Sequence, residues 1–326
     1  MQPGSAIVDV GAGPPLVLVP GIQGRWEWLR PTVEALAARC RVLTASLPGD
    51  VGGLGDVDPE AGFETFVDWA DELLDRAGVA RAAICGVSYG GWVALHYAAR
   101  RPERVTSLTL SSPPAPDWRP PCRVERYLRA PRLMAPVFAL SSPFRLYPEI
   151  AVAIPALRAR LAFGWQHLRR VTQHPFVASR MAERVRLVDG VDFAADCRRV
   201  AAPTQVVTGE ARLDRVVPVA SSLEYLSAIA GARHTRLADT GHIGLVTRPE
   251  RFAAAVGAFV AAHAAPASTE PRPDPAPAAA PVSTASPPDR APAGAAEPTA
   301  PASTGAPESL AGPAPAAAAA AATDTP

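Results

Sequence analysis

From about residue 6 to residue 262 the chain alternates short β-branched or aliphatic runs with longer amphipathic stretches, and no other feature constrains its fold as strongly. The runs at 6–10, 16–19, 41–45, 81–85, 104–110, 204–208 and 234–237 read as strands. The stretches at 28–38, 63–77, 89–100, 219–229 and 249–262 carry apolar residues at helical spacing. Strands that are apolar throughout must be covered on both faces. The expected fold class is therefore α/β, with a mostly parallel central sheet and helices on each side.

Two segments break the alternation. Residues 117–200 hold 15 arginines against 7 acids, few strand runs, and helical patterns at 123–140, 155–171 and 175–188. An insertion of that size predicts a helical cap over one edge of the sheet. Residues 264–326 contain 15 of the 37 prolines, no aromatic residue, and only Val282 and Leu310 as large aliphatics. Such a segment cannot bury enough apolar area to offset its chain entropy, so a disordered Pro/Ala-rich tail is expected. The predicted organisation is a core of 1–116 and 201–263, a cap of 117–200 and a tail of 264–326.

Composition narrows the function classes. The net charge is +1, split as about +5 before residue 264 and −4 after it. That balance lacks the concentrated basic surface a nucleic-acid binder needs. No apolar run reaches the length that spans a bilayer, and no basic-then-apolar leader opens the chain, so neither a membrane nor an export route is expected. Cys40, Cys85, Cys122 and Cys197 lie far apart without metal-ligand spacing, which suits a reduced cytoplasmic setting. The chain has no lysine, which removes Schiff-base and Ser-Lys chemistry.

The chemistry-bearing motif is Gly86-Val87-Ser88-Tyr89-Gly90-Gly91, set after a strand and opening a helix. A G-x-S-x-G turn in that context is a nucleophile elbow, its glycines permitting the sharp turn that lifts the serine. The plainer reading of Ser88 is a tight βα turn of small residues. A serine needs a base. His242, in Asp239-Thr240-Gly241-His242, falls in a loop after the last strand, at the same sheet edge as Ser88. The base needs an orienting acid, and Asp214 follows the strand at 204–208, giving the order Ser, Asp, His. Glu210 and Asp239 compete for that role, and Asp214 could instead cap the helix that follows. An oxyanion needs two backbone donors. The candidates are the amide of Tyr89 and that of Ile22 in Pro20-Gly21-Ile22-Gln23-Gly24, with Gln23 able to add a side-chain contact.

Taken together, Leu16-Val17-Leu18-Val19-Pro20-Gly21, Leu47-Pro48-Gly49, the elbow, Arg101-Pro102-Glu103-Arg104-Val105, segment 209–218 and Gly241-His242 resemble the α/β-hydrolase superfamily in its capped, esterase- and lipase-like branch. The resemblance covers roughly residues 5–262. It implies a Ser88–His242–Asp214 triad, an oxyanion hole from Ile22 and Tyr89, and a helical cap over the site. Three departures stand out. Pro20 replaces the usual histidine that braces the oxyanion loop, Ser46 replaces an aspartate, and the first strand of the family's sheet has no counterpart.

These residues imply a serine hydrolase that cleaves a small-molecule ester or related acyl substrate without metal or cofactor. Trp118, Leu133, Phe163, Trp165 and Phe176 are candidates for lining an apolar substrate cavity. Cofactor-free C–C hydrolysis, perhydrolysis, or ligand sensing by a non-catalytic relative are the alternatives.

Overall fold

The computed structural model describes residues 7–264. The expected disorder of the tail lies outside the described residues. Seven strands form one sheet: β1 (Ile7–Val10), β2 (Pro15–Val19), β3 (Arg41–Ala45), β4 (Ala82–Val87), β5 (Val105–Ser111), β6 (Thr204–Thr208) and β7 (Arg233–Arg236). Their spatial order is β1-β3-β2-β4-β5-β6-β7, with β1 antiparallel to β3 and every other pair parallel. Among the described residues β1 forms one edge of the sheet and β7 the other.

Alternation along β2 shows how the core is divided. Leu16 and Leu18 point to one face and pack with Val42, Ala83 and Cys85, while Val17 and Val19 point to the other with Leu43, Ala45 and Ile84. Helices α1 (Arg30–Ala37) and α12 (Pro249–Ala262) cover the first face through Val33, Leu36, Phe252 and Val256. Helices α2 (Thr65–Arg76) and α3 (Tyr89–Arg100) cover the second through Phe66, Leu73, Trp92 and Leu95. These strands are buried on both sides, which is why they read as continuous apolar runs.

Five helices lie between β5 and β6: α4 (Cys122–Arg129), α5 (Pro131–Ala153), α6 (Leu157–Gln173), α7 (Ala178–Leu187) and α8 (Phe193–Arg199). The single helix expected over 123–140 is broken at Ala130-Pro131, and its second part continues to Ala153 past Pro136, Pro143 and Pro148. Helix α8 was not expected. The stretch 219–229 forms two short helices, α9 (Val219–Leu223) and α10 (Tyr225–Ala228). A one-turn helix, α11 (Gly244–Thr247), precedes α12. Among the described residues no helix is long and apolar enough to cross a membrane.

The chain leaves β2 toward β3 on one side and returns to β4 on the other. The carboxyl ends of β2 and β4 are therefore neighbours at a switch point, where α/β sheets leave a crevice for ligands.

Candidate active site

Ser88 joins β4 directly to α3 with φ 53° and ψ −119°, a positive φ that costs a non-glycine residue about 1–3 kcal/mol. Two backbone bonds hold it there: its N–H donates to the Ser111 carbonyl, and its carbonyl accepts from the Gly91 N–H, each at 2.8 Å. The motif glycines give the helix room to sit this close. A Cβ on Gly86 would overlap the Gly90 carbonyl, and one on Gly90 would lie 2.6 Å from the Val19 carbonyl oxygen. The serine is half-buried at the N-terminus of α3, where the helix dipole favours negative charge.

The loop after β2 lies beside it. Gly24 N–H donates to the Gly21 carbonyl at 2.8 Å, closing a turn with Ile22 and Gln23 at its corner. A Cβ on Gly21 would sit 3.7 Å from the Ser88 Cβ and 3.5 Å from the Gln23 side-chain oxygen. Among the described residues the amides of Ile22 and Tyr89 donate to no other group of the protein, the second because it opens a helix.

Asp214 and His242 are in contact. The imidazole Nδ1 lies 3.2 Å from Asp214 Oδ2, while Asp214 Oδ1 accepts from the amides of Val216 and Val217, both at 3.0 Å. The Asp214 side chain is 1% exposed and that of His242 11%. Burial pushes the Asp214 carboxyl up, but the hydrogen bond and charge of His242 and the two amides outweigh it and hold the group below the usual carboxylate range. Of the three acids weighed from sequence, Asp214 is the one bonded to the imidazole. Glu210 accepts from the Asp239 amide at 2.9 Å and pairs with Arg212, and Asp239 faces Arg251 at 3.6 Å. No hydrogen bond joins the Ser88 hydroxyl to His242 in this structure.

Two residues that sequence reasoning passed over reach these loops from the helical insertion. Arg184 on α7 donates to the Ile22 and Pro48 carbonyls at 3.1 and 3.3 Å and is paired with Asp50. Glu149 on α5 accepts from the Ile243 amide at 3.0 Å and the Thr247 hydroxyl at 3.3 Å. Burial pushes its carboxyl above the ordinary range, against the pull of the Ile243 and Gly241 amides and of His242. Glu149 did leave a signal: it is the only acid between Glu125 and Glu183. Arg184 left none among 15 arginines.

The apolar candidates separate. Leu133 and Trp165 are 77% and 69% exposed, so the expectation that they line a cavity is corrected: helical periodicity gave the face but not which side the core would take. Trp118 packs on Trp92 in the core, Phe163 stacks on His167, and Phe176 meets the edges of Trp28 and Phe138. Among the described residues no group of three or more His, Cys, Asp or Glu side chains is placed to hold a metal ion.

The model of the "Alpha/beta hydrolase family" matches residues 16–255. A 2-hydroxymuconate semialdehyde hydrolase of Pseudomonas sp. (strain CF600) is 30% identical over 259 residues, 78% of this chain and 89% of that one. The crystal structure of the enol-lactonase from Burkholderia xenovorans LB400 superposes with a TM-score of 0.64 at 23% identity, covering 78% of this chain and 95% of that one. An esterase from Exiguobacterium antarcticum superposes at 0.63 with 19% identity, covering 78% and 94%. With a strand-to-helix elbow at Ser88, a histidine loop bonded to an acid after β6, and a family model spanning most of the chain, this protein belongs to the α/β-hydrolase family.

Proposed function

We propose that the protein is a serine hydrolase that cleaves a small-molecule ester or related acyl substrate through an acyl-enzyme. The observation that carries this reading is the His242–Asp214 hydrogen bond, made by loops at the same carboxyl edge of the sheet where Ser88 is held at positive φ. In the reaction, Ser88 Oγ attacks the carbonyl carbon as His242 takes its proton. The amides of Ile22 and Tyr89 receive the negative charge on the carbonyl oxygen. Asp214 keeps the imidazole in the tautomer with the proton on Nδ1 and stabilises its cationic form. The imidazolium returns the proton to the leaving alcohol. Water, deprotonated by His242, then attacks the acyl carbon, and the imidazolium returns that proton to Ser88 Oγ as the acid is released. Proton transfer requires His242 Nε2 to come within hydrogen-bond reach of Ser88 Oγ, a contact that unliganded sites often complete only with substrate bound.

A second reading is favoured by the 30% identity to an enzyme named for a ring-cleavage semialdehyde: the same groups would cleave a C–C bond next to a carbonyl. Both readings share Ser88 and separate by substrate. The test is turnover of short p-nitrophenyl esters and of a vinylogous diketone by the wild-type protein and by Ser88→Ala. We expect ester turnover to fall at least about 1,000-fold in the variant with its fold retained. Undiminished ester turnover in Ser88→Ala would remove the serine mechanism, and turnover of the diketone alone would select the C–C reading.

A further inference from the structure

Each of the two loops that the proposed reaction uses is gripped by a buried charged side chain from the helical insertion. Arg184 is 1% exposed. Its guanidinium bonds the Ile22 carbonyl at 3.1 Å and the Pro48 carbonyl at 3.3 Å and pairs with Asp50, while its own carbonyl accepts from the Tyr89 hydroxyl at 2.9 Å. It therefore touches both residues whose amides would receive the oxyanion. The turn is shaped for this. Gly24 has φ +74°, and a Cβ there would overlap the Asp50 carboxylate and lie 2.5 Å from the Arg184 guanidinium nitrogens.

Glu149 does the corresponding work on the other side. It is 1% exposed, and its carboxylate takes the Ile243 amide at 3.0 Å and the Thr247 hydroxyl at 3.3 Å. A Cβ on Gly241 would lie 2.8 Å from Glu149 Oε2. Both residues that flank His242 thus rest against this one carboxylate.

Stability alone is a poor reason for such an arrangement. Burying an ion pair costs desolvation that the pair's attraction seldom repays, and apolar residues of similar volume would hold the helices at least as well. Burial raises the Asp50 carboxyl above its ordinary range even with Arg184 alongside. Directional bonds to a carbonyl and an amide fix a loop's orientation, which apolar packing does not.

We infer that the cap is a working part of the catalytic apparatus: Arg184 positions the oxyanion loop through Ile22 and Tyr89, and Glu149 positions the loop that carries His242. This rests on the Ser88–His242–Asp214 reading. It also accounts for Pro20, since the brace that the family's histidine supplies from within the loop comes here from Arg184 across the interface. A cap that lifts off withdraws both braces together, so the site is competent only with the cap docked.

The test compares Arg184→Lys and Glu149→Gln with Asp196→Asn. Asp196 is a buried carboxylate bonded to His96 at 2.7 Å, about two turns along α3 from the elbow, so its loss reports general destabilisation. Lysine keeps the charge near Asp50 but lacks the fork that reaches two carbonyls. Glutamine keeps the volume but offers one acceptor and turns a donor toward amides. Each is measured for kcat, KM and the rate of Ser88 labelling by a fluorophosphonate, normalised to folded protein.

We expect kcat and the labelling rate to fall together, by about 100-fold in Arg184→Lys and at least about 10-fold in Glu149→Gln, with KM nearly unchanged. Asp196→Asn should lose melting temperature and keep kcat. The inference is overturned if both cap variants keep wild-type kcat and labelling, or if Asp196→Asn loses as much kcat as they do. Should either cap variant fail to fold, the other decides, because the two act on different loops. A wild-type protein that neither reacts with the probe nor turns over any ester or diketone defeats the triad reading, and this inference with it, before any cap variant is read.

Discussion

Asp214 stays ionised although it is almost sealed from water, because His242 and the amides of Val216 and Val217 surround its two oxygens. Its native pKa lies below the unfolded value of about 3.9, so the ionised form favours the folded state. That contribution is complete above the unfolded value and is lost as the pH falls through the native one. Asp214→Asn should therefore cost about 2 kcal/mol at pH 6, with the gap to wild type narrowing below about pH 4. Urea melts of both proteins across that range check it, and a gap that ignores pH would show that Asp214 is held by something other than charge. The same substitution should lower kcat by about 10,000-fold, because an amide turned to Nδ1 selects the wrong tautomer. At this scale strand order made two local features legible, the strained turn at Ser88 and the pairing of Asp214 with His242. The sequence concealed Arg184 and Glu149, whose partners lie 162 and 94 residues away on a helical segment that no strand order places.

Between elements, the decisive contact is the seating of α3 against the ends of β2 and β4. A Cβ on Gly90 would overlap the Pro20 carbonyl and lie 2.6 Å from that of Val19, and both are backbone atoms at the end of a central strand. Gly90→Ala should lower stability by about 1–3 kcal/mol and move the turn that carries the Ile22 amide, so kcat falls as well. Gly164 is the control. It lies within α6, with nothing inside 4 Å of a would-be Cβ, so Gly164→Ala should raise stability by about 0.5–1 kcal/mol through helix propensity alone. Denaturant midpoints of the two variants should move in opposite directions, and a shared direction would mean the close approach at Gly90 is not what limits the elbow. The elements nearest the elbow were also the most legible, since β2 and β4 are covered on both faces and read as unbroken apolar or small-residue runs. The insertion was less so. Its helices expose Leu133, Leu140 and Phe144, α5 runs through three prolines that normally end a helix, and periodicity therefore marked helices without fixing where they stop. Helix α8 is only seven residues long, though Asp192 caps it by accepting from the Ala195 amide at 2.8 Å, a start signal that was present in the sequence.

For the whole molecule, the question is where the folded unit needs its last residue. Helix α12 closes one face of the sheet: Phe252, Val256 and Val260 are at most 1% exposed and join the cluster formed by Leu16, Leu18, Val33 and Leu36. Each such side chain contributes about 1.5–3 kcal/mol by burial, so the three together rival the 5–15 kcal/mol that holds a typical domain folded. Residues 265–326 offer only Val282 and Leu310 as large aliphatics and carry four more acids than arginines, which gives them little to add to that core. A chain ended after Ala264 should therefore keep the melting temperature and the kcat of the full protein. A chain ended after Arg248 loses α12 and strips the cover from Val33 and Leu36, and it should not fold cooperatively. Thermal melts and ester turnover of the two truncations decide the matter. A loss of kcat in the longer one at unchanged melting temperature would give the acidic segment a part in the reaction, whereas a cooperative melt in the shorter one would mean that α12 does not close the core.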